Sequence, residues 1–135
     1  MSRRSRAREV VLQLLYQDEL NPTHRLSDDD AFLERRLHGD EALVAFARSL
    51  LSGVRRNRGE LDVLLTQRAD NWSLERMAVT DRSVLRLGAY EILYTETPPR
   101  VAINEAVELA KRYGARQSAQ FVNGVLDTFL QQRPT

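Results

Sequence analysis

The sequence VAINEAVELAKRYGARQSAQFVNGVLD, residues 101–127, contains the clearest pattern in this chain: two amphipathic segments joined by a short turn. In both segments apolar residues recur at three- and four-residue steps, the spacing that lines one face of an α-helix. These positions are Ile103, Ala106, Val107 and Ala110 in the first segment, and Phe121, Val122, Val125, Leu126 and Phe129 in and just beyond the second. The pattern predicts a helical hairpin with two apolar stripes that pack into a core.

The turn between the two helices is cationic and rich in amides. We expect Gly114 to end the first helix in the left-handed conformation, which glycine adopts without steric penalty. We expect the hydroxyl of Ser118 to cap the second helix. The side chains displayed around the turn are Lys111, Arg112, Arg116, Gln117 and Gln120. Such an edge is typical of a solvated hairpin and also of an anion-binding surface, and the pattern alone leaves both open.

The composition favours a single all-α domain, residues 1–135, in a reducing compartment. Leucine occurs 20 times against 13 valines and isoleucines together, and six glycines and four prolines are few, which favours helices over a sheet. Cysteine is absent, which excludes disulfides, thiol nucleophiles and cysteine-ligated metals. No signal peptide or run of about 20 apolar residues is visible, so we expect a cytoplasmic protein without a membrane segment.

A second cationic cluster stands at the start of the chain, in SRRSRAR at residues 2–8. We expect residues 1–8 to be a mobile segment, because positive charges at a helix N-terminus oppose the helix dipole. On a helix, Arg4 and Arg8 share a face and find no anion or apolar surface within the segment. Arginine-rich segments of this kind either remain solvated or become ordered on RNA. Because the net charge is only +1, binding to nucleic acid has to come from such local clusters.

The remaining segments bring the expected number of helices to six or seven. The longest periodic segment, residues 40–65, has Asp40 as a cap and Phe46 among its apolar core positions, while Gly53 and Gly59 permit it to bend or divide. In the next strong helical pattern, residues 80–93, we expect Gly88 to permit close contact with another helix.

No pattern typical of an enzyme is present. His24 and His38 lack a serine and a carboxylate at the spacing of a nucleophilic triad, and no glycine-rich phosphate loop occurs. The three adjacent aspartates at 28–30 diverge on a helix and do not suit a metal ion. We therefore expect no catalytic residue, no metal and no cofactor.

Several motifs taken together resemble the NusB family of transcription antitermination factors. They are RRSRARE at 3–9, LLYQ at 14–17, SLLSGV at 49–54, SVLRLGAYEIL at 83–93, VAINEAVELAKRYGA at 101–115 and FVNGVLD at 121–127. The two C-terminal motifs are the most specific, and the resemblance weakens within residues 18–42 and 66–80. It implies an all-α fold of two small helical bundles packed crosswise.

The resemblance also implies a function. Proteins of this family bind the boxA element of ribosomal RNA leader transcripts together with the small-subunit ribosomal protein NusE, in the antitermination complex of RNA polymerase. The implied RNA-binding residues are Arg3, Arg4, Arg6, Arg8, Tyr16, Lys111, Arg112, Arg116, Gln117, Gln120 and Phe121. The implied contacts to the ribosomal protein are Glu75, Arg76, Asp81 and Arg82.

Two of these residues raise specific questions. The helical period places Phe121 in the core, whereas its position near a helix start suits stacking on a base, and both interpretations stay open. Gln117 stands where some relatives carry an acidic residue. Because an acid would repel phosphate, the amide is expected to favour RNA contact, and any regulatory role of the acid is in doubt here.

Two further interpretations remain open on the sequence. RNA cytosine methyltransferases carry a related RNA-binding helical domain, so the chain is alternatively a free-standing relative of that domain. It is alternatively a purely protein-binding helical module whose arginines are solvated. A homodimer is also compatible with the pattern, because the cationic edge is a plausible dimer surface.

Overall fold

The computed structural model describes residues 2–21, 23, 26–69 and 73–131. Over these ranges the chain forms seven α-helices, with short 3-10 turns at Leu26–Asp28 and Leu74–Arg76 and no strand. The predicted all-α class with six or seven helices is confirmed. The helices are α1 (Arg3–Leu20), α2 (Asp29–Arg36), α3 (Glu41–Arg56), α4 (Arg58–Arg68), α5 (Val79–Tyr94), α6 (Pro99–Tyr113) and α7 (Ser118–Gln131).

The chain divides into two compact units that meet in sequence at Arg55 and Arg56. The first unit contains α1, α2 and nearly all of α3, and the second contains α4 to α7. Each unit is a small helical bundle with its own buried apolar residues, such as Val10 and Leu50 in the first and Leu85 and Leu126 in the second.

The first unit begins with α1 at Arg3, inside the segment 1–8 that we expect to be mobile, and that mobility stays a prediction. The hydroxyl of Ser2 accepts a hydrogen bond from the backbone amide of Ser5 at 3.1 Å, which caps the helix. Arg3 also forms an ion pair with Asp40, so one of the positive charges has a local counterion. The cap and the ion pair offset the unfavourable interaction of the arginines with the helix dipole.

Arg55 on α3 joins the three helices of the first unit through two carboxylates. Its Nε and Nη2 donate to the two carboxylate oxygens of Asp18 at 2.9 and 2.7 Å, and Nη1 lies 2.7 Å from Oδ2 of Asp29. Burial lowers the pKa of Arg55, but the hydrogen bonds and charges of the two aspartates outweigh it and raise the pKa above its ordinary value. Arg55 is therefore a structural cation.

The longest periodic segment divides at Asn57, between α3 and α4, and not at Gly53 or Gly59. Both glycines lie inside helices. The predicted cap is confirmed, since Oδ1 of Asp40 accepts a hydrogen bond from the amide of Leu43 at 3.2 Å.

In the second unit, every residue of α5 from 83 to 92 is buried, so this part of the helix is surrounded by protein. A Cβ atom at Gly88 would lie 2.6 Å from Cδ1 of Leu126 on α7 and 3.2 Å from Cβ of Ala106 on α6. The prediction that Gly88 permits close helix contact is confirmed. Arg86 on the same helix is paired by Asp62 of α4, with Nε to Oδ1 at 2.7 Å and Nη2 to Oδ2 at 3.1 Å.

Candidate nucleic-acid interface

The turn between α6 and α7 owes its shape to Gly114 and Ser118. Gly114 has φ −93° and ψ −175°, an extended conformation, so the expected left-handed conformation is wrong. Glycine is required at this position for a steric reason. A Cβ atom here would lie 2.6 Å from Cβ of Ser118 and 2.7 Å from the carbonyl oxygen of Ala110. The absence of a side chain lets the chain double back tightly after α6.

Ser118 closes the turn from the other side. Its buried hydroxyl accepts a hydrogen bond from the backbone amide of Ala115 at 2.9 Å, three residues earlier. We expected this hydroxyl to cap the following helix, but Ser118 is itself the first residue of α7 and its side chain contacts the turn that precedes it. The bond fixes the short segment that carries Arg116 and Gln117.

The predicted cationic and amide edge is exposed, as the sequence indicated. All five of its side chains are solvent-exposed, namely Lys111, Arg112, Arg116, Gln117 and Gln120. Lys111 lies 3.3 Å from the carboxylate of Glu108, but both side chains are exposed, so this ion pair is weak. The edge therefore offers charges and amides to a ligand. Its role in binding RNA stays a prediction.

A pocket of about 450 Å³ opens beside this turn, entirely within the second unit. Gln117, Gln120 and Phe121 line it on the α7 side, and Arg76 and Asp81 line it from the segment around the start of α5. Residues that the family resemblance implies for RNA and for the ribosomal protein thus line one pocket. Phe121 is half-buried in the pocket wall. This burial is compatible both with a core residue and with a residue that stacks on a base.

Asp81 has an unusual environment in this pocket. Its Oδ1 atom is buried and has no hydrogen-bond partner among the residues that the structure describes. Buried polar atoms are nearly always paired, because an unpaired one costs about 1 to 3 kcal/mol. Asp81 thus lines the pocket while one of its carboxylate oxygens is shielded from solvent and unpaired.

The other residues implied for partner binding differ among themselves. Glu75 and Arg76 are exposed in the 3-10 turn before α5. Arg82 instead contacts its own unit, since Nη1 donates to the carbonyl oxygen of Met77 at 2.9 Å and lies 3.4 Å from that of Leu74. Arg82 therefore holds the segment that carries Glu75 and Arg76.

In the first unit, the predicted N-terminal arginines occupy different environments along α1. Arg3, Arg4 and Arg6 are exposed, and Tyr16 is 38% exposed. Arg8 is only 4% exposed, so it is not one of the solvated arginines of this cluster. Its guanidinium lies over the aromatic ring of Phe46 on α3, with Cζ of Arg8 5.2 Å from the ring centre.

Phe46 is the residue that the sequence pattern assigned incompletely. It occupies a helical core position but is half-buried, and Cζ of Arg4 lies 4.4 Å from its ring centre. Periodicity identifies the face of a helix and not the side chain that covers it. The packing of α1 against α3, which the sequence pattern does not reveal, places two arginines of α1 over the Phe46 ring.

Across residues 2–21, 23, 26–69 and 73–131, no group of three or more carboxylate and imidazole side chains could hold a metal ion. His38 is exposed just after α2, and His24 lies outside the described residues. None of the helices in these same ranges is long and apolar enough to cross a membrane.

Comparison with known proteins agrees with this architecture. The NusB family model matches residues 5–131. The transcription antitermination protein NusB of Myxococcus xanthus is 43% identical over 131 residues, covering 94% of this chain and 94% of that protein. T. maritima NusB has a TM-score of 0.86 at 36% identity, covering 100% of this chain and 94% of that chain.

A third comparison concerns the fold alone. A structure described as antitermination factors NusB and NusE in complex with dsRNA has a TM-score of 0.86 at 24% identity, covering 98% of this chain and 99% of that chain. The curated relatives are named for transcription antitermination and not for a catalytic activity, in agreement with the expectation of a protein that is not an enzyme. The family match over nearly the whole chain and the shared fold together show that the chain belongs to the NusB family.

Proposed function

We propose that this protein is a cytoplasmic RNA-binding transcription antitermination factor that recognises single-stranded boxA-type RNA together with the ribosomal protein NusE. The observation that carries the proposal is the turn between α6 and α7. There, five exposed basic and amide side chains project from a segment fixed by Gly114 and Ser118. Membership of the NusB family, with relatives named as antitermination proteins, supports it.

In this proposal the basic side chains supply the affinity. Lys111, Arg112 and Arg116 contact phosphates and release counterions, so binding weakens as salt rises. The exposed arginines of α1 add phosphate contacts from the first unit. Arginine suits this task because its planar fork pairs with two phosphate oxygens at once.

The amides and the pocket supply the selectivity. Gln117 and Gln120 carry both donors and acceptors, which suit the edges of unpaired bases. Phe121 in the pocket wall offers a surface on which a base stacks, an interaction worth roughly 1 to 3 kcal/mol. We assign this half-buried aromatic to base contact, with part of its ring in the core.

The same pocket explains how NusE and RNA act together in this proposal. Arg76 and Asp81 line it opposite the amide side chains. A basic side chain of the ribosomal protein beside the Asp81 carboxylate would pair with its charge and would also attract the RNA phosphates. We therefore expect NusE to increase the RNA affinity.

The decisive experiment compares a boxA-like RNA with a scrambled RNA of the same length, each with and without NusE. We expect the boxA-like RNA to bind more tightly, with a larger difference when NusE is present. Arg100→Ala is a matched control, because Arg100 is exposed at the opposite end of α6. Equal binding of both RNAs with NusE present would overturn the proposal and favour a purely protein-binding module.

A further inference from the structure

Two arginines of α1 lie over one aromatic ring of α3. Cζ of Arg4 is 4.4 Å from the centre of the Phe46 ring, and Cζ of Arg8 is 5.2 Å from it. Both distances are within the range in which a cation is attracted to the electron-rich face of a ring. Arg8 is buried, whereas Arg4 is exposed, so these two contacts have different consequences.

Arg4 differs from the other exposed arginines at the start of α1. Arg3 is paired with Asp40, and Arg6 lies 3.9 Å from the carboxylate of Glu9. Among the residues that the structure describes, Arg4 contacts the Phe46 ring and forms no hydrogen bond or ion pair with a carboxylate. The ring restricts a long side chain that is otherwise mobile, and the guanidinium keeps its donors for a ligand.

A guanidinium held in this way has the properties of a stacking surface. It is planar, and unpaired bases in protein–RNA complexes stack on arginine planes as they do on aromatic rings. The Arg4 guanidinium lies over the Phe46 ring, and the side chain remains exposed. A lysine would supply the charge but no plane, so phosphate binding and base stacking make different demands on this position.

We propose that Arg4 and Phe46 form a nucleobase platform, in which the ring holds the guanidinium and an unpaired base of single-stranded RNA stacks on its outer side. This inference rests on the proposed RNA-binding function and assigns one nucleotide subsite to the first unit. Phe46 acts as a positioning residue, and Arg4 contacts the base.

The test measures binding of a boxA-like RNA to Arg4→Lys and Phe46→Leu at several salt concentrations. We expect both variants to bind roughly fivefold or more weakly, the effect of losing one stacked base, with the log-log salt slope unchanged because the charge remains. Phe46→Tyr keeps the ring and is expected to retain the affinity. Arg35→Lys and Phe32→Leu are matched controls, since Arg35 lies 5.9 Å from the Phe32 ring in the same unit.

RNAs with one abasic nucleotide, moved along the sequence, locate the stacked base. At one position of the RNA, the missing base is expected to weaken binding to the wild-type protein. The same abasic RNA should bind Arg4→Lys as well as the intact RNA does, because both changes remove the same contact. Wild-type affinity in Arg4→Lys would overturn the platform and leave the proposed function standing. Failure of the wild-type protein to bind RNA would overturn both. Arg4→Lys and Phe46→Tyr decide the matter even if Phe46→Leu is poorly folded.

Discussion

The hydroxyl of Ser118 accepts a hydrogen bond from the backbone amide of Ala115, with 2.9 Å between Oγ and N. The bond spans two exposed residues of the turn, Arg116 and Gln117. Because Gly114 packs directly against Ser118, the turn has little room to adopt another shape. The positions of the exposed side chains in the turn are therefore set by two small residues, one half-buried and one buried.

Replacing Ser118 by alanine removes this bond. We expect a loss of about 0.5 to 2 kcal/mol in the free energy of unfolding, as for other serines that satisfy backbone amides at helix ends. Chemical denaturation measures it, and Ser49→Ala on the exposed face of α3 is the matched control. Equal stability of the two variants would show that the bond does not hold the turn.

Substitutions of Gly114 test whether glycine is required there for lack of a side chain or for its backbone conformation. Gly114→Ala is expected to destabilise the protein by about 1 to 3 kcal/mol, since the new Cβ atom would meet Ser118 and the carbonyl of Ala110. Gly114→Asn should be no better, although asparagine tolerates the left-handed conformation. Gly124→Ala, where a Cβ atom meets nothing within 4 Å, serves as the control. A stable Gly114→Asn variant would contradict the steric explanation.

Gln117 is the position at which charge should matter most for RNA. We expect Gln117→Asp to weaken RNA binding by up to about fivefold, the effect of about 1 kcal/mol for an exposed charge, and to do so less at high salt. Gln67→Asp adds the same charge at an exposed position on α4 and is expected to have no effect. Unchanged RNA affinity in Gln117→Asp would show that no RNA phosphate binds near residue 117.

We expect ionisation of Tyr94 to lower the stability of the protein at alkaline pH. Burial and then a hydrogen bond with Glu60 raise the pKa of Tyr94 above its ordinary value of 10.0. The folded state thus holds the phenol proton more tightly than the unfolded state, so this stabilisation is present below pH 10 and is lost above it. Denaturation from neutral to alkaline pH should show wild type losing its advantage over Tyr94→Phe. A constant difference between them would contradict this sign.

The helices and the hairpin could be predicted from the sequence because apolar spacing reports directly on which helix face is buried. Gly88 was predicted correctly for the same reason, since a glycine on a buried face indicates close packing. The reason for Gly114 was not, because a residue after a helix can require glycine for its backbone angles or for lack of a side chain. Spacing does not distinguish these two cases.

The environments of charged residues were the least predictable part. Arg8 belongs to an arginine cluster typical of an exposed RNA-binding segment, yet it is buried. Its contact with Phe46 joins residues 38 positions apart, as does the pairing of Arg55 with Asp18 over 37 positions. Contacts of this range depend on how helices pack, which local patterns in the sequence do not specify.

If the turn between α6 and α7 binds RNA phosphates, its basic side chains contribute to the salt dependence of boxA-type RNA binding. For the variant in which Lys111, Arg112 and Arg116 are all alanine, we predict a log-log slope shallower by about 2, at about 0.7 for each lost single-strand contact. Arg100→Ala should keep the wild-type slope. A triple variant with the wild-type slope and affinity would show that the RNA phosphates do not bind at this turn.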